Sequence, residues 1–141
     1  MTPAWFPLRH TSAAIMLCGL FLAAAACMPA VCHGGKTMET FFQDTDYELN
    51  VYRINGKLPG KTLLIIGGIQ GDEPGGFLSA DLYADMGLVR GNLIVVPRAN
   101  FYSIILKRRQ VNEDMNRKFS GSSRENYEAQ VVMILKRLIS E

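Results

Sequence analysis

The stretch that most constrains this chain is an apolar strand that ends in glycine. Leu63-Leu64-Ile65-Ile66 carries no polar side chain and stops at Gly67-Gly68. A short continuous apolar run reads as a strand covered on both faces. Pro74 follows, then Phe77, Leu78, Leu82, Tyr83 and Met86 at helical spacing. Proline loses no needed hydrogen bond in a helix's first turn, so a helix is predicted to open at Pro74, with Gly87 fitting its C-terminal cap. Asn92 to Val96 is the next strand, ending at Pro97. Strand, helix and strand with short links predict a parallel pair with a right-handed crossover. The fold class is therefore α/β, a mixed sheet flanked by helices.

The flanking segments extend this unit. Residues 33–40 read as a linker, and the domain is expected to run from 41 to 141. Tyr47 to Ile54 alternates apolar and polar, the period of a half-buried strand. Asn55-Gly56 and Leu58-Pro59-Gly60 are turn signals. Phe101 to Met115 reads as an irregular, basic connection. Ser122 and Glu125 have capping-box spacing, ahead of a helix that carries Tyr127, Val131, Ile134, Leu135 and Leu138 on one face.

The N-terminus has a different character. Thr11 to Cys27 has no charge, follows Arg9 and His10, and ends in small residues. This is the pattern of a secretory signal peptide, with residues 1–26 removed and 27–40 left as linker. The run is slightly short for a membrane span of about 20 residues, so an uncleaved helix is the competing reading. Cys27 directly after Ala24-Ala25-Ala26 also fits lipoprotein processing, although Ala24 stands where leucine is preferred. The expected location is exported, with membrane contact only through the signal or a lipid anchor.

Removing the leader takes away Arg9 and no acid, leaving 14 cations against 13 acids. A balance this near neutral gives no case for nucleic acid as a partner. Cys27 and Cys32 would survive cleavage, too close together for a disulfide framework. About 110 residues then remain, enough for one small domain.

Three groups of residues could carry chemistry. Gln70 and Glu73 lie three apart just beyond the glycine-terminated strand. Open α/β sheets bind ligands beyond the carboxyl ends of their strands. A carboxylate is an ordinary zinc ligand, and a glutamine amide oxygen is a neutral, weaker one. The bland alternative is a tight glycine turn whose polar side chains face solvent. Asn116 and Arg117 form the second group, within Asp114-Met115-Asn116-Arg117. Arg109, eight residues before Arg117, is the third. A guanidinium is a planar fork suited to a carboxylate. For Lys107-Arg108-Arg109 the alternative is a solvated basic loop. His33, in a glycine-rich stretch, matches no motif.

Together these stretches resemble the zinc metallocarboxypeptidase family, whose motifs are His-x-x-Glu and then Asp-Leu-Asn-Arg. Gln70 stands where the histidine usually is, and Met115 where the leucine is. A glutamine there is similar to the branch of D,L-carboxypeptidases that trim murein peptides and determine cell shape. The resemblance covers residues 47–139 and implies a partial carboxypeptidase-like sheet. It implies Zn2+ held by Gln70 and Glu73, with Asp72 as outer support. It implies that Asn116 and Arg117 clasp the terminal carboxylate of a peptide substrate, a murein stem peptide in this branch. Arg109, or the adjacent Arg108, would polarise the scissile carbonyl. The family's third ligand, a histidine, and its general-base glutamate are expected later than Glu141, as in the front part of a longer catalytic domain or a truncated relic.

Three functions are consistent with these residues. The first is an exported D,L-carboxypeptidase that removes the C-terminal residue of peptidoglycan stem peptides. The second is another metallocarboxypeptidase, or a deacylase related to succinylglutamate desuccinylase and aspartoacylase. The third is a non-catalytic module that binds carboxylate-bearing peptides.

Overall fold

The computed structural model describes residues 34–121 and 125–141. Four strands form one mixed sheet: β1 Lys36–Phe41, β2 Leu49–Asn55, β3 Leu58–Ile66 and β4 Arg90–Val96. Their order is β1-β2-β4-β3. β1 runs antiparallel to β2, and β2 antiparallel to β4. β3 and β4 are parallel, pairing Thr62 with Asn92 through Ile66 with Val96. Helix α1, Pro74–Ala84, connects them, as the strand–helix–strand pattern predicts. Helix α2, Phe101–Ile105, a 3₁₀ turn at Met115–Lys118 and helix α3, Tyr127–Ile139, complete the described elements.

The sheet has a core on each face. On one, Leu49, Val51, Ile94 and Val96 pack with Met115 and with Val131, Val132, Leu135 and Leu138 of α3. On the other, Ile54, Leu93 and Val95 pack with Ala80 and Ala84 of α1. This explains the character of β4. It lies between two strands and under both cores, so Leu93 through Val96 are all buried. A strand buried on both faces reads as an apolar run.

Several expectations from the sequence are corrected. The stretch read as a linker contains β1, whose register runs from Lys36 opposite Ile54 to Phe41 opposite Leu49. Its alternation is polar because it is a mostly exposed edge strand. Among the described strands β3 is the other edge, and it is not covered on both faces there. Leu63 is 61% exposed, and burial begins only at Leu64. The apolar stripe of α1 is reversed: Leu78, Leu82, Tyr83 and Met86 are exposed, and the small Ala80 and Ala84 meet the sheet. α1 ends at Ala84 with Asp85 as its C-cap, and Gly87 lies beyond. The segment read as irregular from Phe101 contains α2, capped by the Asn100 side chain, which accepts from the Ser103 N–H at 3.3 Å. α3 is capped by Asn126, which accepts from the Ala129 N–H at 3.0 Å. Ser122 of the expected capping box, the leader, Cys27, Cys32 and both histidines lie outside the described residues.

Candidate functional site

The loops after β3 and β4 run side by side beyond the carboxyl ends of these two parallel strands. The Gly67 N–H donates to the Val96 carbonyl at 2.8 Å. The Ala99 and Asn100 N–H groups donate back to the Gly67 and Gly68 carbonyls at 2.9 and 2.8 Å. Gly68 has φ of +66°, a left-handed conformation that side chains disfavour. Gly71 lies so close to α2 that a Cβ there would meet the Ser103 carbonyl carbon and oxygen at 2.2 Å. Glycine at these positions lets the backbone turn and then press against α2. Gln70 and Glu73 leave the loop between these constraints.

Gln70 is 7% exposed, so it does not face solvent as a surface turn residue would. Its Nε2 has no hydrogen-bond partner among the described residues. A buried amide group without a partner is a costly arrangement. Glu73 is the residue before α1 and makes no side-chain cap bond to it. Its carboxylate accepts from Arg109 Nη1 at 3.1 Å. Asp72, next to it, is exposed.

The second group arrives from the opposite core. Met115 is 1% exposed and sits among Leu49, Val96 and the α3 residues. The Asp114 side chain accepts the Asn116 N–H at 3.1 Å and so caps the 3₁₀ turn. Asn116 and Arg117 are thereby turned outward from a buried plug. Asn116 lines a cavity of about 240 Å3 with Gln70, Glu73 and the glycine loop. Arg109, Asp114, Arg117 and Lys118 line a second cavity of about 490 Å3. Arg109 connects the two, since its Nη2 is 4.0 Å from Asp114 and its Nη1 is on Glu73. Arg117 Nε is also 4.0 Å from Asp114. All five residues singled out in the sequence thus converge on one end of the sheet. Of the two candidate arginines, Arg109 is the one whose guanidinium reaches Glu73 and Asp114.

The donor chemistry suits a divalent ion in part. Glu73 offers a carboxylate, and a half-turn of the Gln70 amide exchanges its nitrogen for its oxygen. These are two donors, where a catalytic zinc ordinarily takes three from protein. Among the described residues there is no group of three or more His, Cys, Asp and Glu that could hold a metal.

Sequence reasoning passed over three buried polar residues: Asn100, Ser103 and Glu128, all 0% exposed. Asn100 carried a readable signal, an N-cap residue type just after a strand. Glu128 carried one too. It precedes Val131, Val132 and Leu135 by three, four and seven residues, so it lies on the apolar face of α3.

The family model for the catalytic domain of carboxypeptidases controlling helical cell shape matches residues 42–141. The chain belongs to this family. The match covers every described element from β2 to α3. No curated protein matches the chain. Solved structures share its fold. A succinylglutamate desuccinylase/aspartoacylase from Rhodobacter sphaeroides is 23% identical over 78% of this chain and 38% of its own, with a TM-score of 0.60. An aspartoacylase family protein from Mesorhizobium loti is 24% identical over 74% of this chain and 36% of its own, with a TM-score of 0.61. The product-bound ectoine utilization protein EutE (DoeB) from Ruegeria pomeroyi is 20% identical over 79% of this chain and 38% of its own, with a TM-score of 0.62. The chain therefore spans less than two fifths of each of these neighbours.

Proposed function

We propose that this chain is the part of an exported zinc D,L-carboxypeptidase that binds the C-terminal end of a peptidoglycan stem peptide. The observation that carries this reading is the meeting of Gln70, Glu73 and Asn116 around one cavity, with Arg109 and Arg117 beside it. In this reading Asn116 and Arg117 grip the terminal carboxylate, where a guanidinium fork gives charge and direction together. Arg109 stands between Glu73 and the clasp, within reach of a carbonyl held there, and offers the positive charge that stabilises a developing oxyanion. Gln70 and Glu73 would hold the metal with a third ligand from the rest of the protein. Bound zinc supplies Lewis acidity and an activated water. Gln70, like the histidine usual at this position, is a neutral ligand and takes no charge off the ion. The leader read in residues 1–26 accords with a periplasmic substrate.

The test is to supply the full-length protein and zinc with a stem tripeptide and follow the released C-terminal residue. Release that stops with chelator, and that requires a free terminal carboxylate, is the expected result. No release by folded, zinc-loaded protein would reject the reading. The shared fold of the desuccinylase/aspartoacylase neighbours favours one competing activity, deacylation of an N-acyl amino acid, whose free carboxylate suits the same clasp. Turnover of N-acyl amino acids with none of stem peptides would replace the first reading with this one.

A further inference from the structure

Glu128 is a charged side chain with no solvent exposure, in the first turn of α3. Carboxylates are rarely buried to that degree unless their oxygens are occupied. The oxygens of Glu128 are occupied by one short segment. The Val111 and Asn112 N–H groups donate to Oε1 at 3.3 and 2.7 Å. Asn112 Nδ2 donates to Oε2 at 2.9 Å. Val111 and Asn112 lie midway between Arg109 and Asp114, in the loop joining α2 to the 3₁₀ turn. The next residue is held by the same helix end, since Asn126 Nδ2 donates to Glu113 at 2.9 Å and Lys118 is ion-paired with Glu113.

The loop therefore has no regular backbone ladder of its own at this point, and α3 acts as its template. Its two ends carry the functional charges. Arg109 is two residues before Val111; Asp114, Asn116 and Arg117 follow Asn112 by two, four and five. A shift of the loop at Val111 and Asn112 moves Arg109 relative to Arg117. We infer that Glu128 is a positioning residue, which sets the separation between the carbonyl-facing arginine and the carboxylate clasp by fixing Val111 and Asn112. This inference rests on the carboxypeptidase reading for what the two arginines grip.

The hydrogen-bond pattern supplies its own test, because the Asn112–Glu128 bond can be reversed. In N112D a new carboxylate faces that of the buried Glu128 and the loop is pushed away. In the N112D/E128Q pair the new amide donates to the new carboxylate, while its oxygen still accepts both backbone N–H groups. The full-length, zinc-loaded protein is assayed on a stem tripeptide with a free C-terminal carboxylate and on the same peptide amidated there. Thermal melts are recorded alongside.

Misplacing catalytic geometry by about 1 Å is enough for losses of up to about 100-fold. For N112D we expect KM for the free-acid peptide to rise about tenfold or more, with the preference over the amide reduced in proportion. The double variant should return both to within about twofold of wild type, because the bonds replaced are equivalent in number. E128Q alone, which keeps size and loses charge, should raise KM by a smaller factor, with faster amide exchange at Val111 and Asn112. It decides the matter if N112D does not fold.

An E128Q or N112D protein that melts lower but keeps wild-type KM and preference would overturn the inference, leaving Glu128 a stability residue only. A double variant no better than N112D in KM would overturn it as well. A wild-type protein that cleaves neither peptide rejects the carboxypeptidase reading itself and the inference with it. The wild-type rows of the assay thus separate the two failures.

Discussion

Two loops bring the candidate site together, and they are held by opposite means. The Gly67–Glu73 loop is placed by backbone: strand-end hydrogen bonds to the loop after β4, a positive φ at Gly68 and contact of Gly71 with α2. The Arg109–Arg117 loop is placed by side chains: Met115 as a buried plug, Glu128 and Asn126 as hydrogen-bonding partners, Asp114 as a cap. Backbone placement leaves no room for a larger residue. Side-chain placement tolerates exchange of the outward residues so long as the anchors remain. Asn116 and Arg117, the substrate clasp of the proposed reading, are exposed, whereas Gln70 is buried.

The largest expected effect comes from the backbone-held loop. Gly71→Ala places a Cβ against the main chain of Ser103, which cannot give way as a side chain tip would. A loss of about 3 kcal/mol or more, or failure to fold, is expected in thermal and urea melts. An unchanged melting temperature would remove the distinction between the two loops.

Met115→Ala comes next, at about 2–5 kcal/mol for a cavity under the 3₁₀ turn, while Met115→Leu should cost under about 1.5 kcal/mol. If both variants melt alike, Met115 is not the plug that holds the second loop.

A smaller effect is set by pH. Burial first, and then the neighbouring Glu128 carboxylate, push the Tyr127 hydroxyl well above the ordinary tyrosine range. The folded state therefore holds this proton more tightly than the unfolded chain. Its stability contribution is complete below about pH 10 and declines as the pH rises beyond that. Urea melts through the alkaline range should show a decline that Tyr127→Phe reduces. Equal slopes for the two proteins would contradict the burial of this hydroxyl.

The smallest effect on stability belongs to the charges of the site. Arg117→Ala should change it by less than about 0.5 kcal/mol. Arg109→Ala should do so by less than about 1 kcal/mol, because its pair with Glu73 is solvent-exposed. Both should nonetheless weaken binding of a free-acid peptide, measured by calorimetry. A large stability loss from either would make these arginines structural.

The fold class and the residues of the candidate site were legible in the sequence, and the position of single elements within the sheet was less so. Gln70, Glu73, Arg109, Asn116 and Arg117 could be named because polar residues just past a strand end, or beside a motif, stand out against their surroundings. Misreadings came where the signal depends on position in the sheet. Lys36–Phe41 looked like a linker because an edge strand needs little apolar content. Leu63 looked buried because an apolar run is the same string at an edge as at the centre. The stripe on α1 pointed away from the sheet because the close approach of helix and sheet there admits alanines and not leucines.

What the sequence by itself determined is therefore local. It specified strand, glycine turn and helix around Pro74, the apolar face of α3, and the residue types able to hold an ion or a carboxylate. Backbone period and side-chain chemistry act over a few residues and need no partner to be read. Only the tertiary structure decided that β3 is an edge among the described strands, that Arg109 meets Glu73 across 36 positions, and that Glu128 holds Val111 and Asn112 from 17 and 16 positions away. These contacts are set by how the two cores stack on one sheet. Which distant residues such stacking brings within hydrogen-bonding distance is not a property of any short stretch of chain.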